Sequence, residues 1–484
     1  MKNSSYKAYR KQLQDRGRNG ECTANLVCTE RPEADKKRCV THRTIKTARQ
    51  NERRKEVKSS GKPYQKLIWV TFPDEKALAE TASLAIQVFF DDHKSLGHDP
   101  WLTKARDMTL NNTVISESNA GHYIHQGLVT LLATEAQAEK AFSVEGYTWD
   151  WLEQQLPGQL LYSSCTDENN EPLRSVLFLH WTTNEPINPS LDEIYSEVCL
   201  LKHIHPTSFR VYPNEHEARQ ERDKLGDIRA LDDIAKSSPG RFSYRPKTCY
   251  GHSRCLLENE ERTVHKRTKS GCATHVDVRE RGEQRQLTCY REAQALGAAS
   301  QRVKRWGKKP QRKRKPQVES AVVSAHWFHQ EHIPSLPECE FRVFIATEPS
   351  EKGIRGRIGK VIAIAKTTLD PKTQALAVRR FVTGDLHPPL QRCHLVEFAL
   401  FVFEALRARP DSMLVFESLE VGVRLDIGLA YIDTVNKFFV NEITRWYGAH
   451  YFSHHICGEP KTQICKEFAS AFSAFLNGST SHIP

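Results

Sequence analysis

VRLDIGLAYIDTVNKFFVNEITRW, residues 423–446, is the stretch on which the reading of this chain turns. Two apolar strands flank a polar turn, yet Arg424, Asp426 and Glu442 stand inside them, where charge is costly. With DTVN (433–436) as the turn and the symmetry centre near Thr434, Asp426 faces Glu442 and Arg424 faces Thr444. Side chains alternate along a strand, so these four share one face. Leu425, Ile427, Leu429, Phe439 and Ile443 take the other, core-facing side, with Asn441 the exception. Directly opposed residues lie about 4.5–5.5 Å apart at Cβ. Two carboxylates that close repel unless a proton or a cation lies between them. Paired hard oxygen donors suit Mg2+, which keeps waters and takes its remaining oxygens from substrate phosphates. Arg424 beside them is placed to clamp a phosphoryl oxygen. The same residues also read as a solvent-facing strand with two salt-bridged acids, and a one-residue slip would undo the pairing.

The totals frame this hairpin. At 484 residues the chain is long enough for two to four domains. A hydrophobic content of 39%, with 8 Trp and 21 Phe, is that of a globular protein. No window approaches the ~18 apolar residues of a membrane span, and MKNSSYKAYRKQLQDRGRNG at the start lacks the apolar segment of a secretory signal. The expectation is an intracellular chain without membrane contact. There, 13 cysteines are thiols or metal ligands rather than a disulfide framework. The net charge of +11 is unevenly placed. Residues 1–60 carry 17 Lys/Arg against 7 Asp/Glu, and residues 279–316 carry 13 against 3. The rest of the chain is therefore mildly acidic, and an anionic partner would meet the two basic appendages.

The chain divides by texture. Residues 1–60 form a basic Cys/His module and linker. In 61–245, strand-like KLIWVTF (66–72), QLLYSS (159–164), RSVLFLHWTT (174–183) and SFRVYP (208–213) alternate with helical spacing in 74–93, 191–204 and up to about 236. That is an α/β pattern. From about 247 short strands follow one another: TVHKR, THVDV, SAHWFHQEHI, CEFRVFIA, KVIAIAKT and ALAVRRFV. LQRCHLVEFALFVFEALRARP (390–410) and ICKEFASAFSAFL are amphipathic helices. Strands with segregated helices give an α+β region in two lobes, 246–340 with a basic insertion at 279–316, and 341–484.

RLDIG, followed sixteen residues after Asp426 by the Glu of VNEIT, resembles the metal-binding end of ATP-grasp ligases. In that family an Arg-x-Asp strand precedes a strand ending Asn-Glu-x-Asn. Arg424, Asp426, Asn441 and Glu442 match, and Thr444 stands where the family has its second metal-binding Asn. TVHKRTKSGCATHV (263–276) is similar to the strand–loop–strand of the family's small lobe, with Lys266 as the phosphate lysine and Ser270, Gly271 and Cys272 as the loop tip. Small residues let backbone N–H groups approach phosphate, and a lysine neutralises it. WFHQEHIPSLPECEFRVFI (327–345) resembles the hinge that holds adenine and ribose. The resemblance assigns Gln330 and Glu331 to the nucleoside and Arg342 to the phosphates. Lys360 or Lys366 is a lesser candidate, and Lys224 and Lys247 both stand where a further family lysine is expected. The resemblance covers 247–450, and more loosely the α/β region before it, which takes the place of the family's preceding domain.

The resemblance implies an ATP-grasp fold and a Mg2+- and ATP-dependent ligase, with Asp426, Glu442 and Thr444 holding Mg2+. A carboxylate is activated as its acylphosphate and captured by an amine or similar nucleophile, releasing ADP and phosphate. Arg424, Arg342 and Lys266 would carry the charge of the transferring group. The contrasting expectation is a degenerate ATP-grasp protein serving as a nuclear nucleic-acid- or protein-binding factor.

The appendages add two expectations. Cys22, Cys28, Cys39 and His42 are spaced C-x5-C-x10-C-x2-H, a Cys3His set suited to structural Zn2+, or else unrelated thiols. The block is similar to the zinc-finger-like Cys/His modules at the N-termini of fungal proteins. VKRWGKKPQRKRKPQ (303–317) reads as a nuclear-import or polyanion-binding run, or as a solvated loop. With 1–60, the run at 302–315 would be the contact for nucleic acid, and residues 304–315 favour nucleus over cytoplasm. Cys249 and Cys255, in CYGHSRC with His252, are a weaker cluster and are expected to be ordinary thiols.

Overall fold

The computed structural model describes residues 65–71, 115–118, 121–124, 143–156, 165, 173–180, 191–204, 209–238, 240–250, 255–268, 276–281, 327–369, 376–386, 390–432, 435–449 and 460–478. The chain is a mixed α and β protein with several sheets. Four strands are parallel, in the order β4-β1-β5-β6: β1 (Lys66–Thr71), β4 (Ser143–Thr148), β5 (Ser175–Leu179) and β6 (Phe209–Tyr212). A short hairpin, β2 (Ile115–Ser118) and β3 (Gly121–Ile124), stands apart. Helices α1 (Trp149–Gln155) and α2 (Leu191–Ile204) belong to this half; α3 (Glu215–Asp223) and α4 (Leu225–Ser237) follow it in the chain, and α4 packs Ala230, Leu231 and Ile234 into the core of the C-terminal part.

The unbroken apolar run of β1 follows from burial on both faces, as parallel sheets require. Ile68 and Val70 pack with Leu177, Leu179, Ile194, Tyr195 and Val198, beneath α2. Leu67 and Trp69 pack with Val176 and Phe178 on the opposite face. There they meet α7 (Lys461–Gly478), which buries Ile464, Phe468, Phe472 and Phe475 at helical spacing. Each such side chain contributes roughly 1.5–3 kcal/mol of burial free energy. Phe344, Ala346 and Ala365 join the same cluster, so one core runs from the parallel sheet into the C-terminal part of the chain.

Two antiparallel sheets make up that part. The smaller has the order β7-β10-β8-β9: β7 (Thr248–Cys249), β8 (Arg262–Arg267), β9 (Val276–Glu280) and β10 (Trp327–Glu331). The larger has the order β13-β12-β11-β14-β15: β11 (Glu340–Pro349), β12 (Arg357–Leu369), β13 (Leu376–Arg380), β14 (Gly422–Ile432) and β15 (Val435–Arg445). Its core face is covered by α5 (Arg392–Arg407), through Leu395, Phe398, Val402, Phe403 and Leu406. Ser412–Val415 forms a short helix, α6, and Glu417–Glu420 a 3-10 turn. Among the described residues no helix is long and apolar enough to cross a membrane.

The quoted hairpin needs two corrections. The strands run to Ile432 and resume at Val435, which pair with each other, so the loop is two residues rather than the four of DTVN. The ladder then shifts by one residue between Asp426 and Ile427: Ile427 pairs with Val440, while Asp426 pairs with Glu442. Asn441 is the extra residue of a β-bulge. Because of that shift Phe438 and Val440 take the core face. Phe439, expected with them, lies on the opposite side with Ile333 and Ala430. A Cβ on Gly428 would stand 2.4 Å from the Phe439 ring, which explains a glycine after the Arg-x-Asp triplet. The helix expected at 74–93, the strand expected at 159–164, and the basic run 302–315 lie outside the described residues.

Candidate functional site: a charged junction of two sheets

The bulge assembles the charged face. Before it, Arg424 pairs with Thr444 and Asp426 with Glu442, in the register the sequence predicts. Asn441 turns to the same side as Glu442. The Val440 carbonyl beside the bulge accepts a hydrogen bond from the buried Arg245 guanidinium, which Asp232 holds at 3.0 Å. A backbone group displaced from the regular ladder thereby keeps a partner.

The neighbouring strand β11 extends the patch. Its register places Arg342 opposite Asp426 and Glu340 opposite Gly428. Arg424 donates to both oxygens of Asp426, at 2.7 and 2.8 Å, and to Thr444 Oγ1 at 3.1 Å. Arg342 Nε approaches Asp426 Oδ2 at 3.9 Å. Glu340 accepts from Asn441 Nδ2 at 2.9 Å and from Thr367 Oγ1 at 3.2 Å.

Two lysines arrive from outside the large sheet. Lys266, on β8, donates to Asn441 Oδ1 at 3.1 Å and brings the small sheet against the bulge. Lys224 sits between α3 and α4 in the left-handed region, at φ 62°. That conformation costs a non-glycine residue roughly 1–2 kcal/mol. Here it joins two helices without a loop and places the ammonium 2.6 Å from Glu442 Oε1. Of the two lysines considered upstream, Lys224 joins the patch. Lys247 is largely exposed and pairs with Glu260 at 3.3 Å.

Seven charged groups thus meet: Lys224, Lys266, Arg342 and Arg424 against Glu340, Asp426 and Glu442. The balance is one positive charge in excess. Burial raises the Glu340 carboxyl, and Asp426 raises it further. Burial and the neighbouring Arg424 weaken the Arg342 guanidinium's hold on its proton. Glu442 is lowered to about 2; burial opposes ionisation, but Lys224, Arg424 and Lys266 outweigh it. Burial, with Lys224 and Arg245 adding to it, brings Lys266 down to about 8 against the pull of Glu442. Burial thus makes the charges of Lys266 and Arg342 costly, whereas Arg424, although buried, is held charged by Asp426.

That cost gives a pH signature. Lys266 is charged below about pH 8 and loses its proton above it. Binding of a phosphate group to the patch is expected to weaken above that pH, by up to about tenfold per unit. A Lys266→Arg chain keeps its charge and should bind with a flatter profile. Isothermal titration with ATP and Mg2+ across the range about pH 7 to 10 checks both curves.

The remaining site expectations divide. Gln330 is buried and donates to Thr248 Oγ1 at 3.1 Å. Glu331 lies on the face of β10 opposite the one facing Lys266, and its carboxylate accepts the Lys247 N–H at 3.0 Å. Beyond it, Ile333 and Leu336 lean on Phe439 and Ala430, with Tyr244 alongside, forming an apolar wall next to the charged patch. Lys366 pairs with Asp385 at 3.5 Å, and Lys360 with Glu348 at 3.2 Å, both away from the seven charges. Ser270, Gly271 and Cys272 lie outside the described residues, as do Cys22, Cys28, Cys39 and His42.

Glu340 was not among the expected site residues. Its signal is the spacing of Glu-Phe-Arg: two strand residues apart from Arg342, it must share that side chain's face. No known protein-family model matches the chain, and a search of curated proteins gives no match.

Proposed function

We propose that the charged junction binds ATP with Mg2+, and that the protein is an ADP-forming ligase of ATP-grasp type joining a carboxylate to an amine or similar nucleophile. The observation that carries this reading is the convergence of four cations and three carboxylates beside an apolar wall. Phosphoryl transfer asks for position and countercharge more than for covalent help. Lys224, Lys266 and Arg342 offer that countercharge to a polyphosphate, and the part-exposed Leu336 and Tyr244, backed by buried Ile333 and Phe439, offer a base an apolar edge.

The donors fit the metal. Asp426 and Glu442 supply hard carboxylate oxygens from adjacent strands, with the Thr444 hydroxyl next to them. A divalent cation held there neutralises the charge of the phosphates it shares. Its entry requires Arg424 and Lys224 to loosen their grip on the two carboxylates. Arg424, freed from Asp426, is then available to a phosphoryl oxygen. This exchange of partners makes occupancy by Mg2+ and by triphosphate mutually supporting.

A second reading has its own observation. In the structure Asp426 and Glu442 each already have a cation partner, and Glu340 is held by Asn441 and Thr367, so the patch is also a closed polar network. A degenerate ATP-grasp protein that binds nucleic acid or protein through its basic segments would keep such a network for stability alone. Thermal stabilisation decides between them. The ligase reading expects ATP to raise the melting temperature only with Mg2+. It also expects ADP release when a panel of amino acids, peptides and small carboxylic acids is supplied. No stabilisation by ATP at saturating Mg2+ would sink it.

A further inference from the structure

A second cluster lies on the small sheet, on the face turned away from Lys266. Cys249, His329 and His265 stand in one row across β7, β10 and β8, each opposite the next. Cys255, six residues after Cys249, returns to the same place. Donor atoms of Cys249, Cys255 and His329 all lie within 4.8 Å of one another, and all three residues are buried. Cys255 Sγ and His329 Nδ1 are 3.6 Å apart. The corresponding edge of a zinc tetrahedron, with Zn–S about 2.3 Å and Zn–N about 2.0–2.1 Å, is about 3.6 Å.

We propose that Cys249, Cys255 and His329 bind a structural Zn2+ that ties the small sheet together. Two thiolates and one imidazole are a soft and borderline set, suited to zinc rather than to Mg2+. On binding, the two thiols release their protons, and the resulting pair of thiolates cancels the ion's charge. A neutral complex is what a buried position tolerates. A fourth, non-protein donor such as water completes the tetrahedron. His265 supports the site without joining it: its ring lies tilted against that of His329, centroids 4.1 Å apart, and its Nε2 meets Thr263 Oγ1 at 3.0 Å.

The sheet has a need for such a tie. Among the described residues its apolar cluster on this face consists of Cys249, Cys255 and Leu257. The edge strand β9 leaves Val276 and Val278 40% and 54% exposed. A layer with so little core gains most from a cross-link that joins three of its segments.

The test uses the 484-residue chain in which Cys22→Ser and Cys28→Ser remove any ion held by the N-terminal module. Purified protein of this background is expected to carry one zinc per chain and to show a thiolate-to-metal absorption band when refilled with Co2+. Adding Cys249→Ser and Cys255→Ser should remove both signals and lower the melting temperature; chelator treatment of the background chain should lower it equally. A background chain with no bound zinc and no cobalt–thiolate band would overturn the proposal, whether or not the further variant folds. So would a disulfide between Cys249 and Cys255 in the purified chain.

Discussion

The Glu442→Gln chain is expected to fold and to lose the stabilisation that ATP brings in the presence of Mg2+. Glu442 is suited to this test because its side chain is 44% exposed and touches Lys224 near the surface. Removing its charge leaves Lys224 access to solvent, so the fold loses little. Asp426 is different. It is 4% exposed at the side chain and lies between two buried guanidinium groups, Arg424 and Arg342. Asp426→Asn strands both and is expected to destabilise the chain as well as the metal site. The pair of variants therefore separates chemistry from folding. If Mg2+ is held by both acids, ADP release falls by at least roughly a hundredfold in each, since a metal supplies several kcal/mol at the transition state. Only Asp426→Asn should also lower the melting temperature of the unliganded protein. An unchanged Mg2+ increment in Glu442→Gln would show that the two acids do not share an ion.

The hairpin made the charged face legible because two periodicities agreed: alternation along each strand and a charged pair equidistant from a turn. The bulge was not legible. Asn441 looked like a polar residue misplaced on the core face, and only the local slip between Asp426 and Ile427 turns it toward Lys266 and Glu340. A symmetric hairpin cannot express such a slip, which is why Phe439 was placed on the wrong side. The parallel sheet was readable from the buried runs of β1 and β5. Strand β4, Ser-Val-Glu-Gly-Tyr-Thr, carries no such run and gave no signal. Lys224 stood among the candidates as one of two lysines. What distinguishes it is a left-handed backbone between two helices, a property of the junction rather than of the residue. The cysteine–histidine cluster escaped for a related reason. Its third donor, His329, lies far along the chain and reaches Cys249 only through strand pairing.

Replacing Arg445 should have the largest effect on stability. Its guanidinium is fully buried beside Glu217, also fully buried, and Asp227. Nε donates to Glu217 Oε1 at 3.3 Å, Nη2 donates to Asp227 Oδ1 at 2.9 Å and to the Val415 carbonyl at 3.2 Å. Glu217 is further fixed by the Ser418 N–H at 3.0 Å and its hydroxyl at 2.5 Å. Arg445→Met keeps most of the side-chain volume but leaves two buried carboxylates without a cation. Breaking a buried pair from one side costs about 3–5 kcal/mol. Chemical denaturation of the variant measures the loss, and a cost under about 1 kcal/mol would mean that the network contributes little. The triple change Arg445→Met, Glu217→Gln and Asp227→Asn removes the stranded charge and is expected to recover more than half of it. The network also reaches the proposed site. Asp227 lies in the first turn of α4, three residues from Lys224, and Arg445 follows Thr444 on β15. Arg445 therefore fixes the helix start that aims Lys224 at Glu442. Arg445→Met should weaken ATP binding even at temperatures where the chain stays folded, while the triple variant, which restores packing but not the tether, should recover stability more than affinity.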